Sequence, residues 1–377
     1  MEDLPPTNPT PNVADKIEEN SQNVKEKPKQ TLQKTNQEAR EKLELTLPKE
    51  RGFLGPALFF YQGFWCPSRI LHNVVTFQQH FEGRDTDVIL ATKPKSGTTW
   101  LKSLVYSILN RTRFTEMDHP LLTKNPHELA PFLEFNVYSE KNEGLPDLSN
   151  ISPPRLFSTH LPYGPLPESI QGSKCRIVYM GRNPYDTFVS AWKFVTGHNP
   201  ELHLEVTIED FLGHFLRGAE AFGPHWEHVL GYWKESLGRP NKVLFIKYED
   251  MKENGTREMK RLAEFVGCGF SQEEDRDGVI DRILKLCSLS NLKELEVNKT
   301  GKYMPSVKNK LFFRKGEVGD WVNHLNPSMV ERIDQMMKEK FEGSGLEFKR
   351  NSSKLMMLEL KDVGHVLTNE MLVICLW

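Results

Sequence analysis

A single α/β domain, a central parallel sheet flanked by helices, is the fold the sequence predicts, on three observations. Residues 87–91, 176–180 and 242–246 are short runs rich in β-branched, aliphatic and aromatic side chains, bounded by turn signals, as buried strands are. Each run is followed by a polar turn and then by a helical period, the rhythm of a sheet covered on both faces. The first two are also followed by groups suited to holding anions, at the carboxyl edge where such sheets bind ligands.

Residues 1–48 are rich in Pro, Asn, Gln, Lys and Glu and nearly free of aromatic residues. Such a composition buries too little apolar surface to offset chain entropy, so a disordered arm is expected. The folded domain is assigned to residues 49–349; an aromatic-rich stretch, LGPALFFYQGFW, opens soon after its start. After the first strand, Trp100, Leu101, Leu104, Val105 and Ile108 recur at helical spacing; after the second, Phe188, Val189, Trp192 and Val195 do the same. Residues 350–377 show neither a strong period nor turn grammar and are left as a C-terminal extension of unknown structure.

The bulk numbers exclude some partners. Charged residues are 27% of the chain but the formal net charge is only -2, so no global field recruits nucleic acid or an anionic membrane. An anion site must be a local cluster. Five scattered cysteines without a C-x-x-C pair read as reduced thiols. With neither a basic, apolar leader nor a run of about 20 apolar residues, a cytoplasmic protein is expected.

The segment Thr92-Lys93-Pro94-Lys95-Ser96-Gly97-Thr98-Thr99-Trp100 joins the first strand to its helix, which points backbone N–H groups at any anion there. Lys95 adds charge, Gly97 allows close approach, and Thr98 and Thr99 add hydroxyls. A plain helix cap is the competing reading. The lysine precedes the glycine, whereas a Walker A loop places it after, which argues against a nucleoside triphosphatase. Past the second strand, Gly181-Arg182-Asn183-Pro184-Tyr185-Asp186 and Ser190 offer a guanidinium and a hydroxyl for a second phosphate. A structural turn would also explain them. Arg314-Lys315-Gly316, before Glu317-Val318-Gly319-Asp320-Trp321, is a third basic cluster, otherwise readable as a solvated turn.

Taken together and in this order, the clusters resemble the cytosolic sulfotransferases, particularly the plant type, from about residue 53 to 348. TKPKSGTTW is similar to the family's 5′-phosphosulfate loop, YMGRNPYDTFVS to its 3′-phosphate motif and RKGEVGDW to its C-terminal signature; YQGFW, HELAPFLE and CSLSNLKELEVNKTG are similar to plant stretches. The resemblance implies a P-loop-like phosphosulfate-binding loop and 3′-phosphoadenosine 5′-phosphosulfate (PAPS) as co-substrate, with no metal. It implies that Lys95, Ser96, Gly97, Thr98, Thr99 and Trp100 hold the 5′ side, with Trp100 beside adenine. Arg182, Ser190, Arg314, Lys315 and Gly316 would take the 3′ side, and Tyr248 would contact adenine.

Transfer to a hydroxyl needs a base near pKa 7. Among twelve histidines, His160 ends the apolar run Leu156-Phe157-Ser158-Thr159-His160 before Leu161-Pro162, at an expected strand end, and resembles the family's T-H-x-P motif. His160 is the expected general base and Lys95 the group that stabilises the leaving oxygen. Animal members carry a lysine where this chain has Ser158, and many carry an aromatic residue where it has Leu289. Of their dimer motif only Glu331 is retained, with Val322, Asn326 and Pro327 elsewhere, so a monomer is expected.

The acceptor is expected to be a small hydroxylated molecule, flat or apolar, lined by the N-terminal aromatics, residues 131–135 and the surroundings of His198. Flavonoids, steroids, hydroxyjasmonate and desulfoglucosinolates are the classes the resemblance offers. A nucleotide or nucleoside kinase and a non-catalytic nucleotide-binding module are the alternatives; no magnesium carboxylate at a strand end favours the first, and the pairing of Lys95 with His160 argues against the second.

Overall fold

The computed structural model describes residues 41–53, 57–142, 144–199, 201, 206–304 and 307–349. Most of the N-terminal arm, the whole 350–377 extension and Cys375 lie outside the described residues. Contacts divide the chain into a unit Met1–Pro48 and a unit Lys49–Trp377. The end of the arm departs from the expected disorder: residues 41–46 are helical, where Glu41, Lys42, Leu43, Glu44 and Leu45 favour that state.

The second unit is the expected α/β domain. Its sheet holds β4 (Val88–Thr92), β5 (Leu156–Thr159), β6 (Arg176–Gly181) and β7 (Val243–Lys247) in the order β5-β4-β6-β7, all parallel. All five residues of β4 are buried, as a central strand covered on both faces requires. The first strand starts one residue later than its composition suggests, because the Asp87 carboxylate closes a turn and forms an ion pair. It accepts from Arg84 N–H at 2.8 Å and pairs with the buried Arg155 at 2.5 Å. The last strand also starts one residue late, because Lys242 N–H still closes a turn onto Arg239 O.

A three-stranded antiparallel sheet, β1 (Lys49–Glu50), β2 (Leu58–Tyr61) and β3 (Phe64–Pro67), precedes helix α1 (Leu71–His80). Helix α2 (Thr98–Asn110) follows β4, and α3 (Pro184–His198) follows β6. On one face, Leu101, Leu104, Val105 and Ile108 of α2 pack with Val88 and Leu90, Val178 and Met180, and Leu262 and Ile283. At about 25 cal/mol per Å² of apolar surface removed from water, each fully buried Leu, Ile or Val contributes roughly 1.5–3 kcal/mol. Among the described residues no helix is long and apolar enough to cross a membrane.

Candidate functional site

A cavity of about 410 Å³ opens at the carboxyl edge of the sheet. It gathers segments from β2 to the C-terminal region, including Lys95, Gly97, Thr98, Thr99, Trp100, His160, Arg182, Ser190, Tyr248, Arg314 and Gly316. Two expected residues do not line it. Ser96 is fully buried beneath the loop with its hydroxyl unpartnered, and Lys315 is turned to Asp320 at 2.7 Å.

The loop between β4 and α2 is built on two left-handed residues, Lys95 at φ 72° and Gly97 at φ 107°. Gly97 is required twice over: beyond its φ, a Cβ there would lie 2.7 Å from Met180 Sδ and from Tyr248 Cδ2. The first-turn N–H groups of α2 have no partner within the helix, so they face whatever the loop encloses. Lys95 Nζ lies 3.8 Å from the centroid of Phe194 on α3. Burial, then the nearby Arg314 and Arg182, lower its pKa to about 7. Burial does most of this, and the two guanidiniums near Lys95 add to it.

Carboxylates behind the site hold this convergence. Asp186, in the first turn of α3, accepts from Gly319 N–H at 2.7 Å and Trp321 N–H at 3.2 Å, and Trp321 stacks on Tyr185. Asn183 caps α3 by accepting from Asp186 N–H and donates to Glu249 Oε1 at 2.7 Å, which ties the Arg182 turn to the end of β7. Asp320 accepts from Arg314 at 2.5 Å and from Lys315; burial works to raise its pKa, yet those bonds hold it far below the usual range. Arg182 lies 4.4 Å over the Tyr248 ring and donates to Glu317 O, while Tyr248 donates to Gly316 O at 2.9 Å and meets Trp100 edge-on at 5.3 Å. Leu289 fills the space beside Gly316, where a Cβ would meet it at 2.8 Å. Among the described residues, the buried Nε atoms of Arg182 and Arg314 have no hydrogen-bond partner. Such donors fit a polyanion.

At the other end of the cavity stands His160, just past β5. Thr92 O is only an acceptor, so the 2.7 Å contact makes His160 Nδ1 the protonated nitrogen and leaves Nε2 with its lone pair. Burial pushes the imidazole well below its ordinary pKa, with Lys102, His228 and Lys93 adding to this against the Thr92 bond. The ring is clasped between Phe132 at 4.5 Å and Phe222 at 5.4 Å. Its backbone is fixed from both sides: His160 N–H donates to Glu134 Oε1 at 2.6 Å, and His160 O accepts from His228 Nε2–H at 2.8 Å. His228 in turn accepts from Tyr179, and burial, then Lys93, lower its pKa to about 3. Glu134 is fully buried, and burial raises its pKa to about 7. Behind it lies Lys102, also fully buried, its Nζ 3.3 Å from the Phe132 ring centroid and, among the described residues, without a hydrogen-bond partner. Burial drives its pKa well below that of a free lysine.

Sequence reasoning singled out none of Asp186, Glu249, Asp320, Glu134, His228 and Lys102 for these roles. The only available signal was the adjacency of five of them to the motifs; His228 lies in none. Phe132, Phe135 and His198 line the cavity, but of the described residues of the aromatic N-terminal stretch only Ala57 and Leu58 do, its rings Phe59, Phe60, Tyr61, Phe64 and Trp65 not being among the lining residues. Ser158 faces away, donating to Ala130 O.

Residues 85–345 match the Sulfotransferase domain. Cytosolic sulfotransferase 15 of Arabidopsis thaliana is 48% identical over 308 residues, 81% of this chain and 85% of that protein. Cytosolic sulfotransferase 14 of the same plant is 47% identical over 310 residues, covering 81% and 89%. Among solved structures, an Arabidopsis thaliana sulphotransferase is 41% identical with a TM-score of 0.65, over 81% of this chain and 94% of that one. A mouse sulfotransferase complexed with PAP is 27% identical with a TM-score of 0.58, over 76% and 95%.

Proposed function

The chain belongs to the sulfotransferase family, among the plant cytosolic sulfotransferases, and we propose that it moves the sulfuryl group of PAPS to a hydroxyl of a small organic acceptor, with His160 as base. The observation that carries this reading is the pairing of a three-cation cradle with an unprotonated imidazole nitrogen in one cavity.

The two ends divide the work. Lys95, Ser96, Gly97, Thr98 and Thr99 take the 5′ phosphate and sulfate through the loop N–H groups, hydroxyls and ammonium. Arg182, Ser190 and Arg314 take the 3′-phosphate, and Trp100 and Tyr248 flank the base; Lys315 and Gly316 shape the covering loop. His160 Nε2 accepts the acceptor's proton while the acceptor oxygen bonds to sulfur and the bond from sulfur to the phosphate oxygen breaks. Lys95 neutralises the charge that builds on that phosphate oxygen, and positioning supplies much of the acceleration. A depressed pKa suits both groups: His160 stays neutral and ready to accept, and Lys95 regains its proton when an anion arrives.

Glu134 and His228 act through His160. By gripping its backbone N–H and C=O they fix where Nε2 points, and the aromatic walls keep water from competing for it. The test is an assay with radiolabelled PAPS and a panel of flavonoid, steroid, hydroxyjasmonate and desulfoglucosinolate acceptors. Label should move to an organic product in the wild type and not in His160→Ala, while both bind PAP. Absence of PAP binding, or undiminished transfer without His160, overturns the reading.

A further inference from the structure

The loop between β4 and α2 carries two lysines, and only one of them serves the donor in the reading above. Lys95 stays with the guanidiniums of Arg314 and Arg182. Lys93 turns elsewhere: its Nζ lies 3.1 Å from Glu220 Oε1 and donates to Ala221 O at 2.9 Å. Glu220 is the one acidic side chain among the described residues that line the cavity. The two side chains are only 2% and 12% exposed, so the pair is screened little and breaking it strands a charge. Burial works against either charge, and each partner favours the other's.

What the pair holds is the turn at residues 218–224. Its key position is Phe222, at φ 61°, a left-handed backbone that a residue with a bulky side chain keeps only when its surroundings force it. Trp65 of β3 holds residues 222 and 223 through backbone hydrogen bonds of 2.7 and 2.9 Å, and Lys93 holds residues 220 and 221. Within the turn, Gly223 N–H donates to Glu220 O at 2.7 Å. So fixed, the Phe222 ring is buried, with its centroid 5.4 Å from that of His160 and 6.0 Å from that of Phe135. Thr92, the chain neighbour of Lys93, accepts from His160 Nδ1 at 2.7 Å. One short segment therefore grips the imidazole through Thr92 O and reaches its aromatic wall through Lys93.

Resting on the sulfotransferase reading above, we infer that Lys93 is a positioning residue for the acceptor: through Glu220 and Ala221 O it keeps Phe222 in place as the wall against which the acceptor lies beside His160. Its ammonium is committed to the turn and contacts neither donor nor acceptor. Lysine suits the task because one ammonium on a long stem supplies three donors, enough for a carboxylate and a carbonyl at once. An apolar side chain of similar length would fill the space but release the turn. Residue 222 would then relax from its strained backbone and carry its ring away from the imidazole.

The test uses the full chain with labelled PAPS and 2-naphthol as acceptor. Lys93→Met should raise KM for 2-naphthol about tenfold, as the loss of one hydrogen bond from a charged donor does, and Glu220→Gln about threefold, since the amide oxygen still accepts from Lys93. The imidazole keeps its bonds to Thr92, Glu134 and His228, so kcat and PAP affinity should stay within about threefold of wild type in both. The decisive comparison is with Phe222→Gly, which removes ring and strain together. Adding Lys93→Met to that variant should raise KM no further, because Lys93 acts through Phe222. An unchanged KM in Lys93→Met, a penalty of equal size with and without Phe222, or PAP affinity falling in step with KM overturns the inference and leaves the sulfotransferase reading in place. Hydrogen exchange needs no acceptor: in Lys93→Met it should quicken about tenfold over residues 218–224 and stay as in wild type over residues 314–321. Unchanged exchange in the turn overturns the inference even where 2-naphthol is not used. A wild type that neither binds PAP nor transfers label overturns both.

Discussion

The donor end and the acceptor end of the cavity are built on opposite plans. At the donor end charged and hydroxyl groups crowd together, and the Arg182 turn and the 314–321 segment are lashed down by carboxylates: Asp186, Glu249 and Asp320. At the acceptor end the wall is rings and aliphatic side chains, with His160 clasped between Phe132 and Phe222. The contrast teaches where redundancy lies. Losing one donor contact leaves several others in the cradle, whereas the proposed mechanism sends the acceptor's proton to one imidazole.

The sharpest test of that asymmetry is His160→Ala. Removing the base should lower kcat about 10²- to 10⁴-fold, with PAP affinity unchanged by calorimetry; a kcat within threefold of wild type would break the comparison. Arg182→Ala should weaken PAP by about 2 to 5 kcal/mol, visible in the same titration, and should matter far less for an analogue that lacks the 3′-phosphate. Gly97→Ala adds a side chain at positive φ against Met180 and Tyr248, and the strain should cost about 1–3 kcal/mol. Donor affinity and melting temperature should fall together, with acceptor KM little changed.

Acidity offers a subtler discrimination. The free Lys95 has a pKa of about 7, and the anionic donor raises it, so binding takes up a proton between those two values. PAP affinity should therefore decline as pH rises through 7, by up to about tenfold per unit while the bound form stays protonated. Calorimetry in buffers of different ionisation enthalpy would count that proton. Glu134→Gln gives the smallest change: the amide oxygen still accepts from His160 N–H, so kcat should stay within about threefold, whereas Glu134→Ala leaves that N–H unpaired and should cost about 1–3 kcal/mol of stability.

Much of the donor end was legible in the sequence because its chemistry is written in local words. A strand, a Lys-Ser-Gly-Thr-Thr turn and a helix are contiguous, and the turn's geometry follows from its own residues. The strands were legible too, displaced by a residue at Asp87 and Lys242, whose groups serve turns and, at Asp87, an ion pair instead. Long-range partners left no such trace. Asp186 reaches residues 319 and 321, Glu134 reaches residue 160 and Asn183 reaches residue 249, and nothing local distinguishes a carboxylate with such a distant partner from one in solvent. The helical state of residues 41–46 was hidden by averaging composition over a longer polar arm.

The two bonds from Asp186 to Gly319 and Trp321 bear on any attempt to re-engineer this enzyme. They make residues 314–321 an extension of the start of α3, so a one-residue insertion between Gly319 and Trp321 would let go of the covering loop. The hairpin of β2 and β3 is tied elsewhere, to Phe222 and Gly223. Chimeras can therefore exchange β2, β3 and the turn after them to recruit new acceptors, provided that the C-terminal segment and α3 are inherited as one piece.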